Sequence, residues 1–297
     1  MAFSASPPMF LPRKTPMSTT PPPALPPKQP VLGVGISATN YRQILQLCRQ
    51  WIAERSQDPA KSGNGHSIFV CTVNAVMTAV LRPAFRSLLN SGDLATTDGM
   101  PLAWALRSFG VRKQPRVYGP DLMLALCGQA TRLGHRIYLF GGRKEVVDAL
   151  PQILGNRFPG IQIAGTYASR NPPSTRQARR ASIDAIQSAK TDIVFVGFGQ
   201  PRQEQWIVDH RDQLPGVVLA GVGAAFDFHA GRVPQAPRWM QRSGLEWLFR
   251  LLKEPSRLWR RYLLFNPLFL VMWGLQFAGC LRYGARRRPG AEASTAG

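Results

Sequence analysis

The chain lacks the side-chain spacings that the commonest metal and disulfide sites need. Its 297 residues include only four cysteines and four histidines, and no CxxC, HxxxH or HxH spacing occurs. We therefore expect neither a zinc site nor a disulfide framework. The GxxxxGK[ST] loop of P-loop ATPases is missing as well, which disfavours that class of enzyme.

Acidic residues are also scarce. Asp and Glu number 16 against 37 Lys and Arg, which gives a formal net charge of +21. Because 44% of the residues are hydrophobic, the chain is not a disordered polycation and can bury a sizeable core in one or two domains. The excess of positive charge predicts an anionic partner: a nucleic acid, a phosphorylated substrate or an anionic membrane.

Proline is concentrated at the N-terminus, where ten of the first 30 residues are Pro. Such a stretch is typical of a disordered tail with polyproline II character. We predict that residues 1–30 are such a tail. A ligand for a proline-binding domain is the alternative.

A different pattern follows over residues 31–242. Apolar, β-branched runs are spread along it, and helical patterns lie between several of them. The runs are 31–37, 67–73, 136–141, 161–166, 191–197 and 216–222, and the helical patterns are 41–54, 75–89, 120–133, 143–157, 175–189 and 201–212. This order predicts an α/β domain, a Rossmann-like and mainly parallel sheet with flanking helices.

Residues 243–297 are predicted to form a basic, helical C-terminal appendage that associates with a membrane. Residues 232–288 hold twelve Lys or Arg and two Glu, a net +10. Residues 263–281 carry no charge, and arginines flank them on both sides. An interfacial helix on an anionic membrane fits this pattern best. A membrane-spanning helix and a buried or oligomer contact are the alternatives.

Glycine-rich turns mark candidate binding loops. Three GxG triplets follow predicted strands, at 33–35, 197–199 and 221–223. Glycine there lets the backbone approach a ligand at the carboxyl edge of the sheet, which makes Gly221 and Gly223 candidate ligand contacts. Tight strand-to-helix turns explain each single triplet equally well.

Polar residues also occur at two other predicted strand-to-helix turns. Asp98 stands before a helical pattern, where a carboxylate serves either as a helix cap or as a general base. Thr72 and Asn74 end another strand. Both side chains can hydrogen-bond a sugar or cap the next helix.

Seven stretches of the chain resemble the WecG/TagA/CpsF family of bacterial glycosyltransferases, in family order over about 31–264. They are TVNA at 72–75, TDGMP at 97–101, RVYGPDL at 116–122, YLFGG at 138–142, VFVGFGQPRQE at 194–204, GVGAAFDFHAG at 221–231 and EPSRLWRRY at 254–262. The resemblance leaves out the proline-rich tail and the last thirty or so residues.

This resemblance implies an activity and its partners. The expected reaction is an inverting, metal-independent transfer of a sugar from a UDP-sugar to a polyprenyl-diphosphate-linked saccharide. It would serve bacterial surface polysaccharide or exopolysaccharide synthesis at the cytoplasmic face of the inner membrane, with a peripheral enzyme. No cofactor is implied, since the UDP-sugar is a co-substrate. The oligomeric state stays open, and a homo-oligomer is one alternative.

The resemblance also suggests roles for single residues. It makes Asp98 the general base, and Thr72, Asn74 and Gln200 contacts to the donor or acceptor. Its C-terminal arginines match Arg257, Arg260 and Arg261.

The chemistry of the residues is compatible with these roles. An inverting transfer needs one base and stabilisation of a departing diphosphate. No Asp-x-Asp triplet is present to hold a metal, so arginines are the expected source of positive charge, with Arg257 and Arg260 as candidates. Arg116 is a candidate phosphate contact, and Asp227 either hydrogen-bonds the uridine or fixes its own loop.

Two other functions compete with the transferase. One is a non-enzymatic nucleotide- or RNA-binding α/β protein. We expect no nucleic-acid partner, because the arginines concentrate beside an apolar run instead of among exposed stacking aromatics. The other is an NAD-dependent oxidoreductase, which the incomplete glycine fingerprint disfavours.

Overall fold

The computed structural model describes residues 24–58 and 63–283, without the side chains of Arg257 and Arg261. Most of the predicted tail (1–23) and the C-terminal residues 284–297 lie outside the described residues. The disorder predicted for 1–23 therefore stays a prediction.

The described chain begins with an antiparallel hairpin that pairs β1 (Lys28–Val31) with β2 (Val34–Ser37). Leu32 and Gly33 form its turn, with φ values of 49° and 83°. A two-residue type I′ turn requires positive φ at both positions. The left-handed backbone at these two residues therefore reverses the chain.

Two sequence predictions are wrong in this region. The run at 31–37 is expected to be one strand of the parallel sheet, but the turn folds it back on itself. Residues 28–30 are assigned to the tail, yet Pro30 pairs with Gly35. A two-stranded hairpin tolerates this proline because its strands are edge strands. The triplet at 33–35 thus lies in the hairpin and not at the carboxyl edge of the sheet.

A six-stranded sheet follows, and every pairing in it is parallel. Its order is β4-β3-β8-β7-β5-β6. The strands are β3 (His66–Cys71), β4 (Leu94–Thr97), β5 (Arg136–Phe140), β6 (Gln162–Tyr167), β7 (Ile193–Val196) and β8 (Val218–Gly221). The predicted α/β class with a mainly parallel sheet is confirmed.

Helices surround this sheet. They are α1 (Tyr41–Gln57), α2 (Val73–Leu81), α3 (Pro83–Ser91), α4 (Met100–Ser108), α5 (Gly119–Leu133), α6 (Lys144–Arg157), α7 (Arg176–Ser188), α8 (Arg202–His210), α9 (Ala225–His229), α10 (Arg238–Arg242), α11 (Glu246–Lys253) and α12 (Pro255–Phe277).

Five strands of the sheet are buried on both faces, whereas the edge strand β6 is partly exposed. Along β3, Ile68 and Val70 join the apolar cluster of α1, α5 and α6, whereas Phe69 and Cys71 join the cluster of α2, α3, α4, α7 and α8. Successive strand residues point to opposite faces, so both must be apolar. This is why the sequence runs are apolar throughout.

The region from 73 to 97 differs from its prediction in two ways. The pattern at 75–89 is not one helix, because Pro83 lacks an N–H and begins α3 at its first turn. The predicted runs also omit β4. This strand has four residues, two of them threonines, so its sequence is not a purely apolar run although all four residues are buried.

The C-terminal helices pack on the α/β body. Phe269 of α12 is fully buried in the cluster that includes α2. Gln276 joins α12 to the hairpin: its Oε1 accepts from the N–H of Leu32 at 2.9 Å, and its Nε2 donates to the carbonyl of Pro30 at 3.0 Å. The predicted helical character is confirmed, and α12 forms part of the same core.

The opposite face of α12 is apolar and exposed. Its large exposed side chains are Trp259, Leu263, Leu264, Leu268, Leu270, Val271, Leu275 and Phe277. We call this surface the α12 outer face. None of the described helices has the length and apolar composition that crossing a bilayer requires.

The packing of α12 predicts a large effect for Phe269→Ala. Removing this fully buried ring leaves a cavity, and we expect the free energy of unfolding to fall by about 3–5 kcal/mol. Urea unfolding followed by circular dichroism measures this loss. Leu270→Ala is the matched control, because Leu270 is 48% exposed and should cost less than about 1 kcal/mol. Equal losses in the two variants would contradict this packing.

Candidate active site

The carboxyl ends of four neighbouring strands carry the polar residues of the site. Thr72 follows β3, Asp98 follows β4, Gln200 lies in the loop after β7, and Gly223 lies in the loop after β8. Because β4, β3, β8 and β7 are adjacent and parallel, these loops meet at one edge of the sheet.

Two clefts open at this edge. The first, which we call the strand-end cleft, has a volume of about 1180 Å³ including space open to solvent, and lies along the loops after β3, β7 and β8. The second, the helical cleft, lies between the starts of α2 and α4 and the C-terminal helices α11 and α12. Thr72, Asp98, Glu246 and Arg250 line both clefts.

Asp98 lies where the two clefts meet. Its side chain is 17% exposed, and its Oδ1 accepts a hydrogen bond from the N–H of Gly119 at 3.2 Å. Gly119 begins α5, so Asp98 does not cap the helix that directly follows it, which has Gly99 as its N-cap. The remaining exposed surface leaves the carboxylate accessible to a ligand.

The pKa of Asp98 is raised to about 6. Burial is the largest cause, and the carboxylate of Glu246 adds to it, whereas Arg116 and the hydrogen bond from Gly119 oppose it. A carboxylate with this pKa is ionised at neutral pH and is more basic than an exposed aspartate. Asp98 is therefore suited to accept a proton.

Arg116 joins Asp98 to the C-terminal helices. Its Nε donates to the main-chain carbonyl of Asp98, and its Nη2 donates to the carboxylate of Glu246 on α11 and lies 3.8 Å from Oδ1 of Asp98. The guanidinium also lies 4.1 Å from the centroid of the Tyr118 ring. Arg116 lines the helical cleft, but its guanidinium is already engaged by carboxylates, so a phosphate would compete with Glu246.

Thr72, Asn74 and Gln200 form a polar group beside Asp98. The Thr72 hydroxyl accepts from the N–H of Ala75 at 3.3 Å, which caps α2, and donates to Oε1 of Gln200 at 3.2 Å. Nε2 of Gln200 donates to the carbonyl of Val70. Asn74 stands on the first turn of α2 and lines the helical cleft. The cap and the ligand-facing position are thus compatible for Thr72.

The glycines after β8 let the strand-end cleft approach the backbone. A Cβ on Gly221 would lie 3.0 Å from Nε2 of Gln203, and Gly223 has a φ of 54°, which favours glycine. Asp227, on α9, lines the same cleft with its side chain partly exposed. The second and third GxG triplets therefore lie at the predicted edge.

Of the predicted C-terminal arginines, the structure describes the side chain of Arg260 alone, and Arg260 does not line either cleft. Arg260 is exposed and lies 5.2 Å from the centroid of the Trp259 ring. The side chains of Arg257 and Arg261 lie outside the described part of the chain, so their contact with a diphosphate stays a prediction.

Arg250 is an arginine that the structure does place at the clefts, where the sequence predicts positive charge for a diphosphate. It lines both clefts, and its guanidinium lies 5.5 Å from the centroid of the Phe228 ring. Its Nε is buried and has no hydrogen-bond partner among residues 24–58 and 63–283. The residue as a whole is partly exposed, and a guanidinium with an unused donor favours an anionic ligand.

Sequence reasoning missed Glu246 and Arg250 as site residues. They lie four residues apart, on the face of α11 opposite Leu248, Leu251 and Leu252. The spacing of four residues indicates that the two side chains share one face of the helix. The fold then shows that this face lies beside Asp98.

These features define the class of the protein. A parallel sheet with glycine loops at its carboxyl edge, a basic aspartate and a free guanidinium is typical of an enzyme acting on a nucleotide-activated substrate. The family model for the glycosyl transferase WecG/TagA/CpsF family matches residues 29–281, and the chain belongs to this family. It is accordingly a glycosyltransferase, which decides against the oxidoreductase and the non-enzymatic alternatives.

Two curated relatives have the same name, N-acetylglucosaminyldiphosphoundecaprenol N-acetyl-beta-D-mannosaminyltransferase. The protein of Bacillus spizizenii is 34% identical over 197 residues, which are 66% of this chain and 74% of that protein. The protein of Bacillus subtilis is 33% identical over 196 residues, which are 65% of this chain and 74% of that protein.

The charge arrangement predicts that Glu246→Gln moves the acid limb of the pH–rate profile. The negative charge of Glu246 raises the pKa of Asp98 and holds Arg116, so its removal should lower that pKa. Because Asp98 must be ionised to accept a proton, activity should persist to lower pH, by roughly one pH unit. The measurement is kcat/KM for sugar transfer against pH.

The matched control for this profile is Glu145→Gln. Glu145 is exposed and lies on α6, away from the site. An unchanged midpoint in Glu246→Gln would contradict the predicted influence of Glu246 on the pKa of Asp98.

Proposed function

We propose that this enzyme transfers a sugar from a UDP-sugar to a saccharide linked to polyprenyl diphosphate, with inversion at the anomeric carbon and without a metal ion. The observation that carries the proposal is the position of Asp98 at the junction of two clefts. One cleft has the glycine loops suited to a nucleotide, and the other has polar side chains suited to a sugar.

The names of the relatives support a specific acceptor. Both are named for acting on N-acetylglucosaminyldiphosphoundecaprenol and for transferring N-acetylmannosamine. We therefore propose the lipid-linked N-acetylglucosamine diphosphate as the acceptor class. An N-acetylhexosamine such as N-acetylmannosamine is the proposed sugar.

Asp98 acts as the general base in this proposal. It takes the proton of the acceptor hydroxyl as the oxygen attacks the anomeric carbon of the donor, while the bond to the UDP oxygen breaks on the opposite face. A single displacement of this kind inverts the configuration. Thr72 and Asn74, which line the helical cleft, hold the acceptor hydroxyl towards Asp98.

Arg250 stabilises the departing UDP. Negative charge grows on the diphosphate as the bond breaks, and a guanidinium with a free donor can bind it in two places at once. Arg257, Arg260 and Arg261 are proposed to add to this charge when the C-terminal segment meets its substrate. No group of three or more His, Cys, Asp or Glu side chains that could hold a metal occurs among residues 24–58 and 63–283.

The α12 outer face is proposed to lie on the membrane that holds the acceptor. Exposed leucine and aromatic side chains insert at the interface, and the flanking arginines contact anionic headgroups. The proposed location is the cytoplasmic face of the inner membrane, with peripheral attachment. The active site then opens beside the layer from which its lipid-linked substrate comes.

Asp98→Asn is the test of the mechanism. The amide keeps the shape of the side chain and its acceptor for Gly119 but cannot take a proton, so kcat should fall roughly 10²–10⁴-fold. Calorimetry should find the Kd for UDP unchanged. Product analysis with UDP-N-acetylmannosamine and a lipid-linked acceptor measures the transfer. Asp148→Asn, on the exposed surface of α6, is the control.

Arg250→Gln is the contrasting variant. It should weaken UDP binding roughly tenfold, because a charge-assisted contact is lost while Asp98 stays in place. Wild-type turnover in Asp98→Asn would disprove the assignment of the base. Unchanged UDP affinity in Arg250→Gln would remove this arginine from the diphosphate site.

Membrane attachment is tested by Val271→Glu combined with Leu275→Glu. The two positions are 60% and 42% exposed and lie one turn apart on the α12 outer face. Two carboxylates there should repel anionic headgroups and lower the fraction that sediments with anionic vesicles. Leu133→Glu, an exposed position on α5, should sediment like the wild type. If the double variant sediments normally but changes the oligomeric state, this face is a contact between protomers.

A further inference from the structure

A groove between α2, the start of α3 and the loop after β7, lined also by Phe265 of α12, leaves the active site along a third direction. Its inner end is lined by Asn74, which also lines the helical cleft, and by Gln200, which also lines the strand-end cleft. Its outer part is lined by Leu81, Arg82 and Phe265. The groove is therefore continuous with both clefts.

The polarity of the groove lining changes along its length. Asn74, Thr78 and Arg82 are spaced by four residues, so they follow one face of α2 over about 12 Å. Polar side chains stand at the inner end. Towards the outer end, Leu81 and Phe265 supply apolar surface. A ligand with a polar head and an apolar tail fits this order.

Arg82 places a positive charge along this groove. Its backbone is fixed as the C-cap of α2, since its N–H donates to the carbonyl of Thr78 at 2.9 Å. Its side chain is exposed, and no carboxylate forms an ion pair with it in the part of the chain that the structure describes. The guanidinium is thus available to an anionic ligand.

The outer end of the groove opens on apolar surface. Leu81 is 61% exposed although it ends a helix whose other apolar residues are largely buried. Phe265 of α12 is partly buried and packs against the core cluster. The groove therefore leads from the catalytic residues to exposed apolar surface at Leu81.

We propose that this groove holds the diphosphate and the first isoprenoid units of the lipid-linked acceptor, an inference that rests on the proposed function. Arg82 binds the diphosphate, and Leu81 and Phe265 pack against the isoprenoid chain. The acceptor sugar then lies at Asn74, with its attacking hydroxyl towards Asp98. The UDP diphosphate lies elsewhere, beside Arg250 and the glycine loops.

The test uses the full chain and two acceptors with the same sugar diphosphate, one on a long prenyl chain and one on a short soluble alkyl chain, in neutral detergent. Arg82→Gln should lower kcat/KM roughly tenfold or more for both acceptors, because both carry the diphosphate. Arg82→Lys should recover part of the loss. Arg42→Gln, an exposed position on α1, is the matched control.

Leu81→Asn tests the apolar part of the groove separately. It should lower kcat/KM for the long-chain acceptor and leave the short-chain acceptor unaffected, because only the former reaches this contact. Leu133→Asn is its control. The Kd for UDP should stay at the wild-type value in every variant, since the donor cleft is untouched. Wild-type kinetics in both Arg82→Gln and Leu81→Asn would overturn the proposal.

Two further measurements separate the other outcomes. Calorimetry with a short isoprenyl diphosphate should show binding that Arg82→Gln weakens; if this holds while the wild type transfers no sugar, the proposed function fails and the groove stands. Repeating the transfer assay on anionic vesicles identifies the source of the bound phosphate. A loss in Arg82→Gln that occurs on vesicles but not in neutral detergent would mean that Arg82 binds membrane headgroups, and would overturn the proposal.

Discussion

The guanidinium of Arg116 joins the two parts of the molecule that the site needs. It bonds the backbone of Asp98, at the end of β4, and the carboxylate of Glu246, on α11, whose sequence positions are far apart. A buried arginine requires partners of opposite charge, so this position is stable only while α11 is docked. The same contact places Glu246 and Arg250 over the edge of the sheet. The position of α11 over both clefts, and of Glu246 beside Asp98, therefore depends on this side chain.

Docking of α11 also gives the charged residues of the site different roles: Glu246 pairs with Arg116, whereas Arg250 lines both clefts. Burial raises the pKa of Asp98 and Glu246 adds to the rise, so that pKa stays raised although the Arg116 guanidinium lies nearby and lowers it. Arg250 lies one turn further along α11, and its Nε has no hydrogen-bond partner among residues 24–58 and 63–283. A base and an anion-binding group thus lie within one small site, and burial keeps the pKa of Asp98 raised although Arg250 opposes the rise. The arrangement suits a reaction that removes a proton on one side and releases a diphosphate on the other.

Much of this fold follows from sequence patterns, and the exceptions have physical causes. Five of the six strands of the parallel sheet coincide with apolar runs. Four of these are covered on both faces and must be apolar throughout, whereas the edge strand β6 is partly exposed. The strand β4 escaped prediction because it is short and half threonine. The hairpin was missed because its turn depends on positive φ at Leu32, a residue type that rarely adopts it. Asp98, Thr72 and Gln200 were found through motifs, whereas the partnership of Arg116 with Glu246 spans 130 positions and leaves no local signal.

The contact between Gln276 and the hairpin has a consequence for folding during synthesis. Its two hydrogen bonds join residues 244 and 246 positions apart, so they form only after α12 has been synthesised. Until then the N–H of Leu32 and the carbonyl of Pro30 have no Gln276 to pair with, and the core cluster lacks Phe269. Non-local contacts of this kind slow folding, and partly synthesised chains expose apolar surface meanwhile. The contacts between α12 and the rest of the protein therefore form late in synthesis, so translation products that lack α12 are expected to be substrates for chaperones and proteases.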